Sequence, residues 1–144
     1  MLTINSSSNY NQTLNFGTKI PTRDVISLAT QRQLSEDFCD VLNAANKITE
    51  RTNSTHDLIA CGDRCRDALL EQFPVLKDVV KNTNKFFKNQ TRSEKEIDTF
   101  VSQQIEMIGS QELDVTPIKI DPQVYYQYNQ KIASEKPVIA YIHQ

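Results

Sequence analysis

Leu34–Asn89, LSEDFCDVLNAANKITERTNSTHDLIACGDRCRDALLEQFPVLKDVVKNTNKFFKN, is the stretch whose reading decides the fold. Its apolar residues first fall at Leu34, Phe38, Val41, Leu42, Ala45 and Ile48. A spacing of three and four puts them on one stripe of an α-helix. Ser35 is the expected cap, with Glu36 and Asp37 at the positive end of the helix dipole. Thr52-Asn53-Ser54-Thr55 interrupts the pattern, because small polar side chains compete with the backbone for hydrogen bonds. Ser54 or Thr55 then caps a second helix with the stripe Leu58, Cys61, Gly62, Cys65, Ala68, Leu69 and Phe73. Pro74 ends or kinks it and suits the first turn of a third, whose stripe is Leu76, Val79, Val80, Thr83 and Phe87. Short connections favour antiparallel neighbours, so the first two helices are expected to form a central hairpin.

Working outward, Pro21-Thr22 opens a short helix with Val25, Ile26, Leu28 and Ala29 on one side, ending near Arg32-Gln33. Before it, the Ser/Asn-rich Met1–Gln12 reads as an edge strand or a mobile arm. Beyond Asn89, Ser93 with Glu96 forms a capping box for a helix carrying Ile97, Phe100, Val101, Ile105 and Ile108, and Gly109 ends it. Leu113, Val115, Ile118 and Ile120 read as an extended segment in which Pro117 shifts the phase. Asp121-Pro122 starts a further helix with Val124, Tyr125, Tyr128 and Ile132 on one face. Pro137 is expected to stop it, leaving Val138–Ile142 as a β-branched strand. The expected fold is mainly α or α+β: about six helices around a central antiparallel helical hairpin, with a small sheet formed by N- and C-terminal strands. Residues 1–144 form one expected domain.

The 144 residues carry a formal net charge of −2, which gives no bulk argument for nucleic acid. No run is apolar enough to span a bilayer, and no basic-then-apolar leader marks conventional secretion. The expected location is therefore the cytoplasm as synthesised, or export without a conventional signal. The first dozen residues resemble in composition the leaders of bacterial proteins exported by contact-dependent secretion. They equally suit a prophage or viral accessory protein. Either likeness implies an effector, inhibitor or adaptor.

Cys61 and Cys65 sit one turn apart, and the hairpin should bring Cys39 beside them. Their sharp reading is a redox pair, a cysteine-dependent enzyme, or part of a metal site with His56. Their plain reading, adopted here, is as small buried hydrophobes. No nucleophile signature surrounds any cysteine, and no phosphate loop or HExxH occurs, so neither cofactor nor catalytic residue is expected.

Lys77, Lys81, Lys85 and Lys88 recur on one helix face, with Phe86 beside Phe87. Consecutive phenylalanines cannot both face the core, so Phe86 is an expected partner anchor next to a basic stripe. Tyr126 should point away from the face shared by Tyr125 and Tyr128, and joins the candidate partner-binding residues. The expected function is a non-enzymatic protein-binding module. The alternatives are a cysteine-dependent enzyme or redox switch using Cys61 or Cys65, and a nucleic-acid binder acting through the Lys77–Lys88 stripe.

Overall fold

The computed structural model describes residues 17–142, with side chains described through Ser134. The earliest part of the chain, including the expected arm at Met1–Gln12, lies outside the described residues. The elements are β1 (Thr18–Pro21), α1 (Thr22–Thr30), α2 (Phe38–Thr49), α3 (Thr55–Gln72), α4 (Val75–Phe87), α5 (Glu94–Ile108), β2 (Glu112–Val115) and α6 (Pro122–Ile142). Helices dominate and one small antiparallel sheet accompanies them, as the apolar periodicity predicts.

The shortest helix is the most enclosed. α1 touches α2, α3, α4, α5 and both strands, and Thr22, Asp24, Val25, Ile26, Ser27, Leu28 and Ala29 are all buried. The hairpin of α2 and α3 is present, and both of its helices lean on α1. A helix buried on every side must satisfy its polar side chains internally. Thr22 donates through Oγ1 to the Ser110 carbonyl at 2.7 Å. Ser35 Oγ donates to Asp24 Oδ1 at 2.6 Å, which leaves the Ser27 hydroxyl as donor in its 2.9 Å contact with Ser35. Ser27 Oγ in turn accepts from Leu34 N at 3.1 Å. A relay of donors thus runs from the Leu34 amide to the Asp24 carboxylate, each bond polarising the next.

That relay explains a displaced helix start. Ser35 is buried in the relay and unavailable as a cap, so α2 begins at Phe38 with Asp37 as its cap, accepting from Cys39 N at 2.7 Å. Elsewhere the capping chemistry follows the sequence. Ser54 with Asp57 and Ser93 with Glu96 form capping boxes, and Gly109 closes α5 at φ 91°.

β1 and β2 pair antiparallel with Ile20 opposite Leu113 and Thr18 opposite Val115. Expectation differs here in two ways. The N-terminal partner lies after Gly17, and its C-terminal partner is Glu112–Val115. Val138–Ile142 continues α6 through Pro137 instead of forming a strand or a β-α-β unit. A strand needs a neighbouring edge to receive its backbone groups, whereas a helix satisfies them along its own length. Pro137 leaves that helix without the bond that a backbone N–H would have given the Ala133 carbonyl. The chain between β2 and α6 is latched to the helices: Ile118 N donates to the Ile48 carbonyl at 2.8 Å, and the Gln72 amide exchanges two bonds with Thr116, at 2.9 and 2.8 Å.

Cys61, Cys65 and Leu69 form the buried stripe of α3, facing a core that includes Ile26, Ile48, Leu76, Val79 and Val101. Leu69→Ala is expected to lower unfolding free energy by about 2–5 kcal/mol. Ser54→Ala, which removes one orphan-donor bond, is expected to lower it by about 1 kcal/mol. Chemical denaturation followed by circular dichroism measures both. Equal losses for the two variants would show that α3 is not held mainly by its buried stripe.

Candidate functional site

Where α1 ends, its C-terminal turn, the start of α2 and the first half of α3 leave a surface cleft of about 420 Å³. Leu28, Val41, Leu58 and Gly62 line it, and Phe38 and Ile59 stand at its lip. Phe38 is 40% exposed and Ile59 58% exposed, among the largest apolar side chains left in water. Both follow from local sequence. Phe38 is the first residue of α2, ahead of the point where the helix meets its neighbours. Ile59 lies off the Cys61–Cys65–Leu69 stripe.

Most polar groups around the cleft are paired within the chain, and the Arg32 guanidinium is the exception, making no hydrogen bond or ion pair among the described residues. Gln31 donates through Nε2 to Asp63 Oδ1 at 2.8 Å and accepts at Oε1 from Arg66 at 3.0 Å. Arg66 also pairs with Asp63 at 3.4 Å and Asp67 at 3.0 Å. Ser27 is committed to the relay. The Arg32 guanidinium lies 4.5 Å from the centre of the Phe87 ring. Gln31 holds a left-handed conformation at φ 55°, uncommon for a residue with a Cβ. Its side-chain bonds to α3 fix it there. A Cβ at position 62 would lie 3.4 Å from Gln31 Nε2, at the edge of ordinary contact. What the cleft offers a ligand is therefore apolar surface, with few free hydrogen-bonding groups.

The basic stripe is present as a face, and its expected anchor is less open than its sequence position suggests. Lys77, Lys81, Lys85 and Lys88 are exposed, and none is in an ion pair among the described residues. Phe86, expected to be open, is half-buried. It stacks on Phe100 with centroids 4.2 Å apart and planes 8° apart, and the Arg92 guanidinium covers it at 4.5 Å. The reason is tertiary: α5 folds across α4, so both consecutive phenylalanines find cover, Phe86 under α5 and Phe87 under Arg32. Tyr126 is 59% exposed on α6, as its phase predicts. It belongs to neither the α4 face nor the cleft lining.

The cysteines separate. Cys61 and Cys65 are buried, with the Cys65 thiol 3.9 Å from Cys61 Sγ, whereas Cys39 is exposed and does not join them. Starting α2 at Phe38 places Cys39 in its first turn, where the Asp37 carboxylate raises its pKa by charge and by hydrogen bonding. The Cys65 hydrogen bond favours the Cys61 thiolate and lowers its pKa, while the same bond and burial raise that of Cys65. The pair titrates as a unit. His56 is exposed and meets Tyr128 edge-on at 6.4 Å, so no thiol–imidazole pair is assembled there. Among the described residues, no three of His, Cys, Asp and Glu converge as a metal site.

A family model described as a domain of unknown function (DUF7736) matches residues 20–79, less than half of the chain. The matched stretch contains β1 from Ile20, α1, α2, α3 and every residue lining the cleft. Lys81, Lys85, Phe86, Lys88 and Tyr126 fall outside it. No curated protein and no solved structure matches the chain.

Burial raises the Asp24 pKa, and the Ser35 hydrogen bond opposes that only in part. An acid whose folded pKa lies above its unfolded one contributes stability that is complete below the unfolded value and lost as pH rises through the folded value. Asp24→Asn keeps an oxygen for Ser35 and should remove that part of the pH dependence. Thermal midpoints across the mildly acidic range test this, and parallel profiles for wild type and variant would refute it. With iodoacetamide under native conditions, Cys39 alone is expected to react promptly, and Cys61 and Cys65 to follow in denaturant. Mass spectrometry reads the order.

Proposed function

We propose that the protein is a small helical binding module that docks a protein partner by taking a large apolar side chain of a partner helix into the α1–α2–α3 cleft. The observation that carries this reading is the contrast between the open apolar lip, Phe38 and Ile59, and polar neighbours mostly paired within the chain. Small-molecule sites usually fix their ligands with a few convergent polar groups. An amphipathic helix laid in a groove needs only apolar anchors and a compatible rim. Glu36, Asp37 and Asp40 flank Phe38, and none is in an ion pair among the described residues. A partner helix with a Lys or Arg on the Phe38 side of its apolar anchor would meet these carboxylates, while Arg32 in the cleft lining disfavours a cation there, and such charges would speed encounter more than strengthen the complex.

The exposed lysine face of α4 supports a second reading, contact with a polyanion such as nucleic acid. It would act mainly through charge, with Phe86 half-buried against Phe100. Duplex binding that weakens steeply with added salt, and is lost in Lys81→Glu/Lys85→Glu, would favour it.

A photo-crosslinking residue at Ile59 tests the cleft. The captured protein is purified and titrated against wild type and against Phe38→Asp/Ile59→Asp, with circular dichroism to show that the double variant folds. The expected result is one discrete adduct and affinity at least tenfold weaker for the double variant, with Lys81→Glu/Lys85→Glu close to wild type. Undiminished binding by the double variant, or the absence of a discrete adduct, would overturn the reading.

A further inference from the structure

α6 outruns the helix it packs on. Thr116 is bonded to the side-chain amide of Gln72, the last residue of α3. Tyr128 meets His56, the second residue of α3, with ring centres 6.4 Å apart. The chain after β2 therefore runs antiparallel to α3 and has reached its first turn by Tyr128. α6 continues as helix to Ile142, and from Tyr128 the rise of an α-helix adds about 21 Å. Among the described residues, α3 is the one element that α6 contacts extensively. Ile132 is half-buried, and Ala133 and Ser134 after it are exposed. The last turns of α6 thus run past the end of α3 as an arm.

The arm's sequence is unlike that of a solvated helix end. Glu135-Lys136-Pro137 leads into Val138-Ile139-Ala140-Tyr141-Ile142, a largely apolar run. By helical spacing Val138 and Ile142 fall on one stripe, with Ile139 next to it. Such a stripe gains free energy by leaving water for an apolar wall. We propose that the terminal turns of α6 from a second copy of the chain occupy the α1–α2–α3 cleft. This occupancy rests on the reading of the cleft as a helix-docking groove, and it names the partner.

The arm does not serve its own cleft. That cleft opens beside Leu58, Ile59 and Gly62, behind the end of α3 that the arm leaves. A kink at Pro137 bends a helix without reversing it. Charge complements shape between copies. The cleft carries unpaired Arg32 in its lining and Glu36, Asp37 and Asp40 around Phe38. The Arg32 guanidinium lies with Phe87 at 4.5 Å, and its N–H groups remain available to a carboxylate. The arm carries an acid and a base in succession, Glu135 and Lys136, just before its apolar run. Successive helix residues diverge in direction, so such a pair serves two sides of one groove. One arm in one cleft is a small contact. Two copies that exchange arms fill both clefts, double the buried surface and close the assembly about a two-fold axis.

The purified full chain, with no other protein present, is followed by sedimentation velocity over a concentration series. A second preparation carries a photo-crosslinking residue at Ile59. The expected results are a monomer–dimer equilibrium and a copy-to-copy adduct. After trypsin, that adduct should contain the peptide Ile132–Gln144. Val138→Asp/Ile142→Asp in the arm and Phe38→Asp/Ile59→Asp in the cleft should each weaken self-association about tenfold or more. Circular dichroism shows that both variants fold. The adduct should disappear when the chain with the crosslinker also carries Val138→Asp/Ile142→Asp. A chain that stays monomeric at every concentration, an adduct mapping outside the arm, or association undiminished by the arm variant would overturn the arm exchange. A discrete adduct at Ile59 with a different protein, and none between copies, would keep the docking reading and overturn this one.

Discussion

A helix with neighbours on every side has nowhere to send its polar groups, and α1 is such a helix. Thr22, Asp24 and Ser27 are buried within it, and each finds its partner in another part of the chain. Those bonds dictate the surroundings. Thr22 holds the turn after α5, Ser27 and Asp24 draw Leu34 and Ser35 inward, and α2 can begin only after that segment has turned back out. The apolar face of α1 meanwhile supplies Val25, Ile26, Leu28 and Ala29 to the core. Exposed pairs such as Lys19 with Asp114 contribute little beside this.

The cleft follows from the same constraint. Because the link from α1 to α2 is pulled inward at Leu34 and Ser35, Phe38 emerges at the rim while Leu28 and Val41 stay below it. Gln31 ends α1 in a left-handed turn and reaches α3 through Asp63 and Arg66. The rim polar groups are therefore used to join helices, and the cleft keeps an apolar character. The lysine face of α4 arises differently, as the solvent side of a helix whose Leu76, Val79 and Thr83 point inward. Four like charges on it repel modestly and stay hydrated.

α3 carries two separate features on its circumference. Leu58, Ile59 and Gly62 face the cleft, whereas Cys61 and Cys65 face the core and α6. A partner bound at the lip would bear on the same helix that packs against α6. Its rigidity is what keeps the two sulfurs at a fixed separation while the opposite flank stays open.

The helices were legible in the sequence because their information is local. Apolar spacing, the capping boxes at Ser54 and Ser93, the Asp121-Pro122 start and the Gly109 stop each act within a few residues. The lysine face and the outward phase of Tyr126 were legible for the same reason. Burial of Cys61 and Cys65 followed from their shared stripe with Leu69. Only the tertiary structure decided that α1 is enclosed, that Ser35 is a relay member and Cys39 exposed, that Phe86 is covered by Phe100, and that Val138–Ile142 continues a helix. Only it carried α6 past the end of α3 and opened a cleft at Phe38 and Ile59. Each of those outcomes depends on which surface arrives opposite a residue from far along the chain, and a periodicity of 3.6 fixes the direction of a side chain without fixing what it will meet.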